Sequence, residues 1–135
     1  MLINKSDTLP VRSEEDIVRV RQFTRTVSQT TGLNLVDQTK IVTAASELAR
    51  NTLVYGRGGD VVIDIVEERG RKGVRLTFKD NGPGIPDLEL ALRDGFTSGG
   101  GLGLGLSGAK RLANEFAIDS RVGEGTTVVI TKWKA

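Results

Sequence analysis

The sequence predicts an α+β sandwich, a two-layer fold with helices on one face of a mostly antiparallel, mixed sheet. Three observations lead there. Apolar residues recur at helical spacing through the first third of the chain, two stretches alternate apolar and polar residues on either side of a glycine turn, and the order runs helices, hairpin, helix, hairpin. With 135 residues, one compact domain spanning 1–135 is the expected organisation.

Taken in order, Leu9 to Arg12 reads as a short strand. Ser13 followed by Glu14, Glu15 and Asp16 reads as a helix cap with acids in the first turn, and Ile17, Val20, Phe23 and Val27 continue at helical spacing until Gly32. Asn34 or Asp37 caps a second helix whose apolar positions Ile41, Ala44, Ala45 and Leu48, together with Thr52, share a face that ends near Gly56. After the turn residues 56–59, Val61, Ile63 and Ile65 alternate with polar neighbours. Val74, Leu76 and Phe78 do the same beyond Gly70-Arg71-Lys72-Gly73, which makes an antiparallel hairpin. Asp80 to Ile85 is a Gly/Pro loop, Pro86-Asp87-Leu88 opens a short helical piece ending near Gly95, and a third helix is expected from about Leu104 to Phe116. A strand over Ile118 to Val122, a turn at 123–125 and a strand over Thr126 to Trp133 complete the chain.

Composition narrows the function. Cysteine and histidine are both absent, which removes disulfides, thiolate metal sites, a Ser-His-Asp triad and a phosphohistidine. A reducing cytoplasm is the simplest expectation, with no apolar run long enough for a membrane span and no signal-peptide pattern. The 19 basic and 17 acidic residues are interspersed, and only six aromatics are present, so nucleic acid is not an expected partner.

Three motifs carry chemistry. Gly99, Gly100, Gly101, Leu102, Gly103, Leu104, Gly105 and Leu106 form a tract in which five of eight residues are glycine. Glycines let backbone N–H groups approach an anion, and a following helix N-terminus adds partial positive charge, so phosphate is the expected ligand. A Walker A loop does not fit, because Ala109 separates Gly108 from Lys110, and the literal GxGxxG at 103–108 lacks the preceding strand of a βαβ unit. The second motif is Asp80-Asn81-Gly82-Pro83-Gly84-Ile85 at a strand end. Asp80 there can accept from an exocyclic amine such as adenine's, with Gly82 and Gly84 keeping a pocket wall clear of side chains; an ordinary turn is the competing reading. The third is Glu47-Leu48-Ala49-Arg50-Asn51, whose i, i+4 spacing puts Glu47 and Asn51 on one helical stripe. An Asn oxygen suits Mg²⁺ and a nearby carboxylate can deprotonate a hydroxyl, while a solvated charged face is the competing reading.

In this order, with Gly125-Thr126 near the end, the motifs resemble the GHKL ATPase superfamily and its Bergerat nucleotide fold. The resemblance implies Asn51 as magnesium ligand, Asp80 as adenine reader, Gly82 and Gly84 as pocket floor, Gly99 to Leu106 as ATP lid and phosphate loop, Thr126 on the adenine side and Glu47 as general base. The size of the chain, Ser46-Glu47-Leu48-Ala49-Arg50-Asn51, Phe96-Thr97-Ser98 and Gly125-Thr126-Thr127-Val128 look like the compact anti-sigma-factor kinase group, in particular its stressosome switch kinases. That likeness implies a serine/threonine kinase using ATP and Mg²⁺ on a STAS-domain antagonist protein, with a serine phosphatase or a sigma factor as a further partner. The alternative from another class is an ATP-gated binding module with little turnover.

Overall fold

The computed structural model describes residues 1–93 and 102–135. Its elements are β1 (Leu2–Val11), α1 (Glu14–Thr31), α2 (Leu35–Val54), β2 (Gly59–Glu68), β3 (Arg71–Asp80), α3 (Leu88–Ala91), α4 (Leu102–Leu112), β4 (Glu115–Arg121) and β5 (Gly125–Trp133). The strands form one sheet in the order β1-β2-β3-β5-β4. All four pairings are antiparallel, so the mixed sheet expected from sequence is replaced by a purely antiparallel one.

Local chemistry fixes the two long helices. Ser13 caps α1, its hydroxyl accepting from the Asp16 N–H, while the Asp16 carboxylate reaches back to accept from the Arg12 N–H at 2.9 Å. Exchanging two otherwise orphaned donors this way makes the start of α1 unambiguous. Gly32, at φ +93°, ends it in the left-handed conformation and returns its N–H to Ser28 and Gln29. Asn34 caps α2, accepting from the Asp37 N–H at 2.8 Å.

Several boundaries differ from the sequence reading. β1 is ten residues long, not four. It is an edge strand, largely exposed, and its polar stretch Asn4 to Asp7 hides the alternation that betrays a half-buried strand. The β2–β3 turn is Arg69-Gly70, both at positive φ (54° and 75°), with Glu68 paired to Arg71. This two-residue loop matches the twist of the strands, so Arg71, Lys72 and Gly73 belong to β3. α4 starts at Leu102, inside the glycine tract, and stops at Leu112, which frees Glu115 to open β4.

One face of the sheet carries Val61, Ile63, Val74, Leu76, Phe78, Val128 and Ile130, all buried. They pack against Ile17 and Val20 of α1, Ile41, Ala45 and Leu48 of α2, and Leu106 and Ala109 of α4. Each such fully buried aliphatic or aromatic side chain contributes about 1.5–3 kcal/mol. The helices lie on this one face, as expected for a two-layer sandwich. Among the described residues, no helix is long and apolar enough to cross a membrane.

Candidate functional site

At the Asp80 end of the sheet, α2, β3, the loop after it, α4 and β5 enclose a cavity of about 330 Å³. Its walls are mostly apolar, formed by Leu48, Phe78, Pro83, Ile85, Pro86, Leu106 and Val128. Asn51, Thr52, Tyr55, Gly56, Asp80, Gly84 and Thr126 complete the lining. A few convergent polar groups in an apolar cleft are the ordinary form of a small-ligand site.

The polar groups are held by short, specific contacts. Asp80 is the last residue of β3 and pairs with Thr126 of β5. Its Oδ1 accepts from the Gly82 N–H at 2.9 Å and the Thr126 N–H at 3.3 Å. Oδ2 has no hydrogen-bond partner among the described residues and remains available to a donor from outside. Ser120 of β4 closes the group from behind, its Oγ accepting from the Ile85 N–H at 2.8 Å and lying 2.7 Å from Thr126 Oγ1.

Asn51 sits in the last turn of α2, and its backbone carbonyl accepts from Tyr55 and Gly56. Among the described residues its buried Nδ2 has no partner, nor has the buried Tyr55 hydroxyl. Such orphans are rare in folded proteins and each calls for an explanation. Crowding by α4 explains how the amide is held: a Cβ at Gly105 would lie 2.7 Å from Asn51 Nδ2, so only glycine lets the helix come this close.

These features can be set beside known proteins. The family of histidine kinase-, DNA gyrase B- and HSP90-like ATPases matches residues 36–135. The chain belongs to this ATPase family. It is 45% identical over 131 residues to the serine/threonine-protein kinase RsbT of Bacillus subtilis (strain 168), covering 97% of this chain and 98% of that protein. It is 36% identical over 101 residues to the anti-sigma F factor of Geobacillus stearothermophilus, covering 70% of this chain and 68% of that one. Among solved structures, the RsbU and RsbW domains of Rv1364c from Mycobacterium tuberculosis match with a TM-score of 0.65 at 21% identity, over 98% of this chain and 34% of that one. The mycobacterial sensor histidine kinase MprB matches with a TM-score of 0.57 at 18% identity, over 96% of this chain and 97% of that one. The solved structures share the fold, and the α+β sandwich of this family is the architecture observed.

Of the residues singled out from sequence, Asn51, Asp80, Gly84, Ile85, Leu106 and Thr126 all line the one cavity. Gly82 does not line it; its N–H holds Asp80 instead, and a Cβ there would meet the Gly56 Cα at 2.8 Å. Gly105 stands behind Asn51. Glu47 is exposed, one turn before Asn51 and outside the cavity wall. Leu102, Gly103 and Leu104 form the first turn of α4, whereas Gly99, Gly100 and Gly101 lie outside the described residues.

Sequence reasoning missed Tyr55, Thr52 and Ser120. Tyr55 could have been found, since it lies one turn beyond Asn51 on the same stripe. Ser120 could not, because nothing local distinguishes a serine in an alternating strand.

Proposed function

We propose that the cavity is the ATP site of a serine/threonine protein kinase, with Asp80 reading adenine and Asn51 at the phosphate end. The reading rests on one observation above all: Asn51, Asp80 and Thr126 converge on a single apolar-walled cavity, leaving, among the described residues, a carboxylate oxygen without a hydrogen-bond partner and an amide without one. An adenine amine donates to Asp80 Oδ2, and Gly84, Ile85 and Val128 flank the base. The glycine tract leading into α4 directs the phosphates along the helix N-terminus toward Asn51.

Mg²⁺ fits the donor set. Among the described residues no cluster of three or more acids could hold a metal alone. A single neutral oxygen, Asn51 Oδ1, is what this ion needs when phosphate oxygens and water fill its remaining positions. The bound ion supplies charge neutralisation at the phosphates. Asn51 orients that end of the substrate, and the cavity walls exclude water from it.

Glu47, one turn along α2, takes the proton of the incoming Ser or Thr hydroxyl. Its exposure suits a base that must meet a protein substrate at the surface. The substrate is a STAS-domain antagonist protein, and phosphorylation there adds about 1.5–2 negative charges that break its partnership. The kinase so released binds a serine phosphatase or a sigma factor, all within the cytoplasm and with residues 1–135 acting as one domain.

The same exposure of Glu47 favours the second reading, an ATP-gated binding module with little turnover. Incubation with Mg-ATP and candidate STAS proteins separates the two. Glu47→Ala is expected to lower phosphoryl transfer by roughly 100-fold or more while ATP affinity stays within about twofold of wild type. Transfer that survives the substitution removes Glu47 as the base. A wild-type chain that binds nucleotide and partner without transfer selects the binding module.

A further inference from the structure

We infer that Glu14 is a positioning residue that draws the Arg50 guanidinium across to α1 and so keeps it off Glu47, leaving that carboxylate open to an incoming hydroxyl. This rests on the reading of Glu47 as the base.

On a helix the neighbours of a side chain stand three and four positions away. For Glu47 those positions hold Thr43, Ala44, Arg50 and Asn51, of which only Arg50 is charged. A Glu followed three residues later by an Arg ordinarily pairs with it along the helix surface, and both side chains are exposed here. They do not pair. Arg50 Nη1 lies instead 3.5 Å from Glu14 Oε1, in the first turn of α1 and 36 positions earlier in the chain. Among the described residues Glu47 is left with no ion pair of its own.

A guanidinium seated on Glu47 would cover the oxygens that have to meet the substrate. A positive charge within about 4–6 Å also favours the ionised form of a carboxylate, which weakens its hold on a proton. The base needs both. As the substrate oxygen bonds to the γ-phosphorus and the bond from that phosphorus to ADP breaks, the hydroxyl proton passes to Glu47. Glu14 is well placed to compete for the cation, because its charge sits at the N-terminus of α1, where the helix dipole favours an anion. Stability is a poor reason for the contact. The Arg50 and Glu14 side chains are 50% and 67% exposed, and ion pairs so open to solvent add little to folding.

Phosphoryl transfer from Mg-ATP to the STAS-domain protein that the wild-type chain phosphorylates tests this in Glu14→Gln, Arg50→Gln and the double variant. Calorimetric ATP titration and thermal melting serve as controls. Glu14→Gln releases Arg50 to Glu47 and is expected to lower kcat by about three- to tenfold, while ATP affinity and melting temperature hold. Arg50→Gln should transfer within about twofold of wild type, and adding it to Glu14→Gln should restore the lost rate. Glu14→Lys, which repels Arg50, should lower kcat at least as far as Glu14→Gln. An ion pair that merely holds the helices together predicts equal losses from either partner and no recovery in the double variant. That pattern overturns the inference, as does a wild-type kcat in Glu14→Gln. Glu47→Ala separates the two levels, since Glu14→Gln should change nothing further in that background. Wild-type transfer in Glu47→Ala, or no transfer by the wild-type chain, removes the base reading itself, whereas loss there with an indifferent Glu14 removes only the role given to Glu14.

Discussion

The two ends of β5 lie in the same sheet and solve opposite problems. Thr126 at one end and Lys132 at the other point to the same face, six residues and roughly 20 Å apart. At the Lys132 end the charged ammonium and the indole N–H both find partners within the chain. The buried Lys132 ammonium pairs with Asp37 at 3.6 Å, and on the opposite face the Trp133 indole N–H donates to Glu115 while Arg71 lies 4.7 Å from the ring centre. At the Thr126 end, Asp80 Oδ2, Asn51 Nδ2 and the Tyr55 hydroxyl have no hydrogen-bond partner among the described residues. Satisfied groups add to stability, and buried groups left wanting reduce it. The contrast teaches that one end of the sheet is built to hold the fold and the other to hold something the chain does not itself contain.

Substitutions can break or sharpen that contrast. The largest effect is expected from Gly105→Ala. A methyl group there enters the space of the Asn51 amide, 2.7 Å from Nδ2, and should lower phosphoryl transfer by roughly 10–100-fold, as loss of support behind a ligand usually does. The exchange of glycine for alanine within a helix favours α4 by up to about 1 kcal/mol. Melting temperature should therefore hold or rise while activity falls, and a parallel fall in both would show that Gly105 serves packing alone.

Lys132→Ala should do the reverse. Removing the cation strands Asp37, whose side chain is only 17% exposed, and costs roughly 3 kcal/mol. Denaturant unfolding should register this in the midpoint. ATP affinity measured below the transition should be unchanged, and a large loss of affinity would mean the two ends are coupled.

The smallest effect concerns the start of α1. The Arg12 N–H holds the Asp16 carboxyl below its ordinary pKa, helped by the Arg19 charge and the Ser13 hydroxyl, with burial opposing them. A group whose pKa is lowered by folding contributes stability that is complete above the unfolded value near 4 and is lost as pH falls through the lower folded value. Asp16→Asn should therefore destabilise the chain at pH 7 and become indistinguishable from wild type at the acid end of a melting series. A gap that persists in acid would assign the effect to packing.

Much of the fold was legible before any coordinates. Ser13, Gly32 and Asn34 are capping residues whose chemistry acts within four positions, and all three mark the helix ends observed. The β2–β3 alternation was equally plain, since one face of each strand is buried. β1 was underestimated because an edge strand draws its stability from backbone pairing, which leaves no pattern in side chains. The α4 boundary was misjudged because glycine lowers local helix propensity, and packing of Leu106 and Ala109 against α2 overrides it. The site was legible as three motifs and illegible as a cavity. Glu47 illustrates the limit: spacing puts it on the stripe of Asn51, and only the packed structure leaves it in solvent outside the wall.

What the sequence determined alone is chemistry carried by neighbours along the chain: the caps, the Asp80 turn whose Gly82 N–H returns to the carboxylate, the absence of histidine and cysteine, and the family these motifs mark. Only the tertiary structure decided which groups face one another. Thr126 reaches Asp80 across 46 positions of sequence, Ser120 joins Ile85 to Thr126 through strand register, and Gly105 admits α4 to the side of Asn51. Such pairings depend on how β3, β4 and β5 align and how closely two helices approach. Those are set by burial of the shared core, a property of the whole chain that no local spacing encodes.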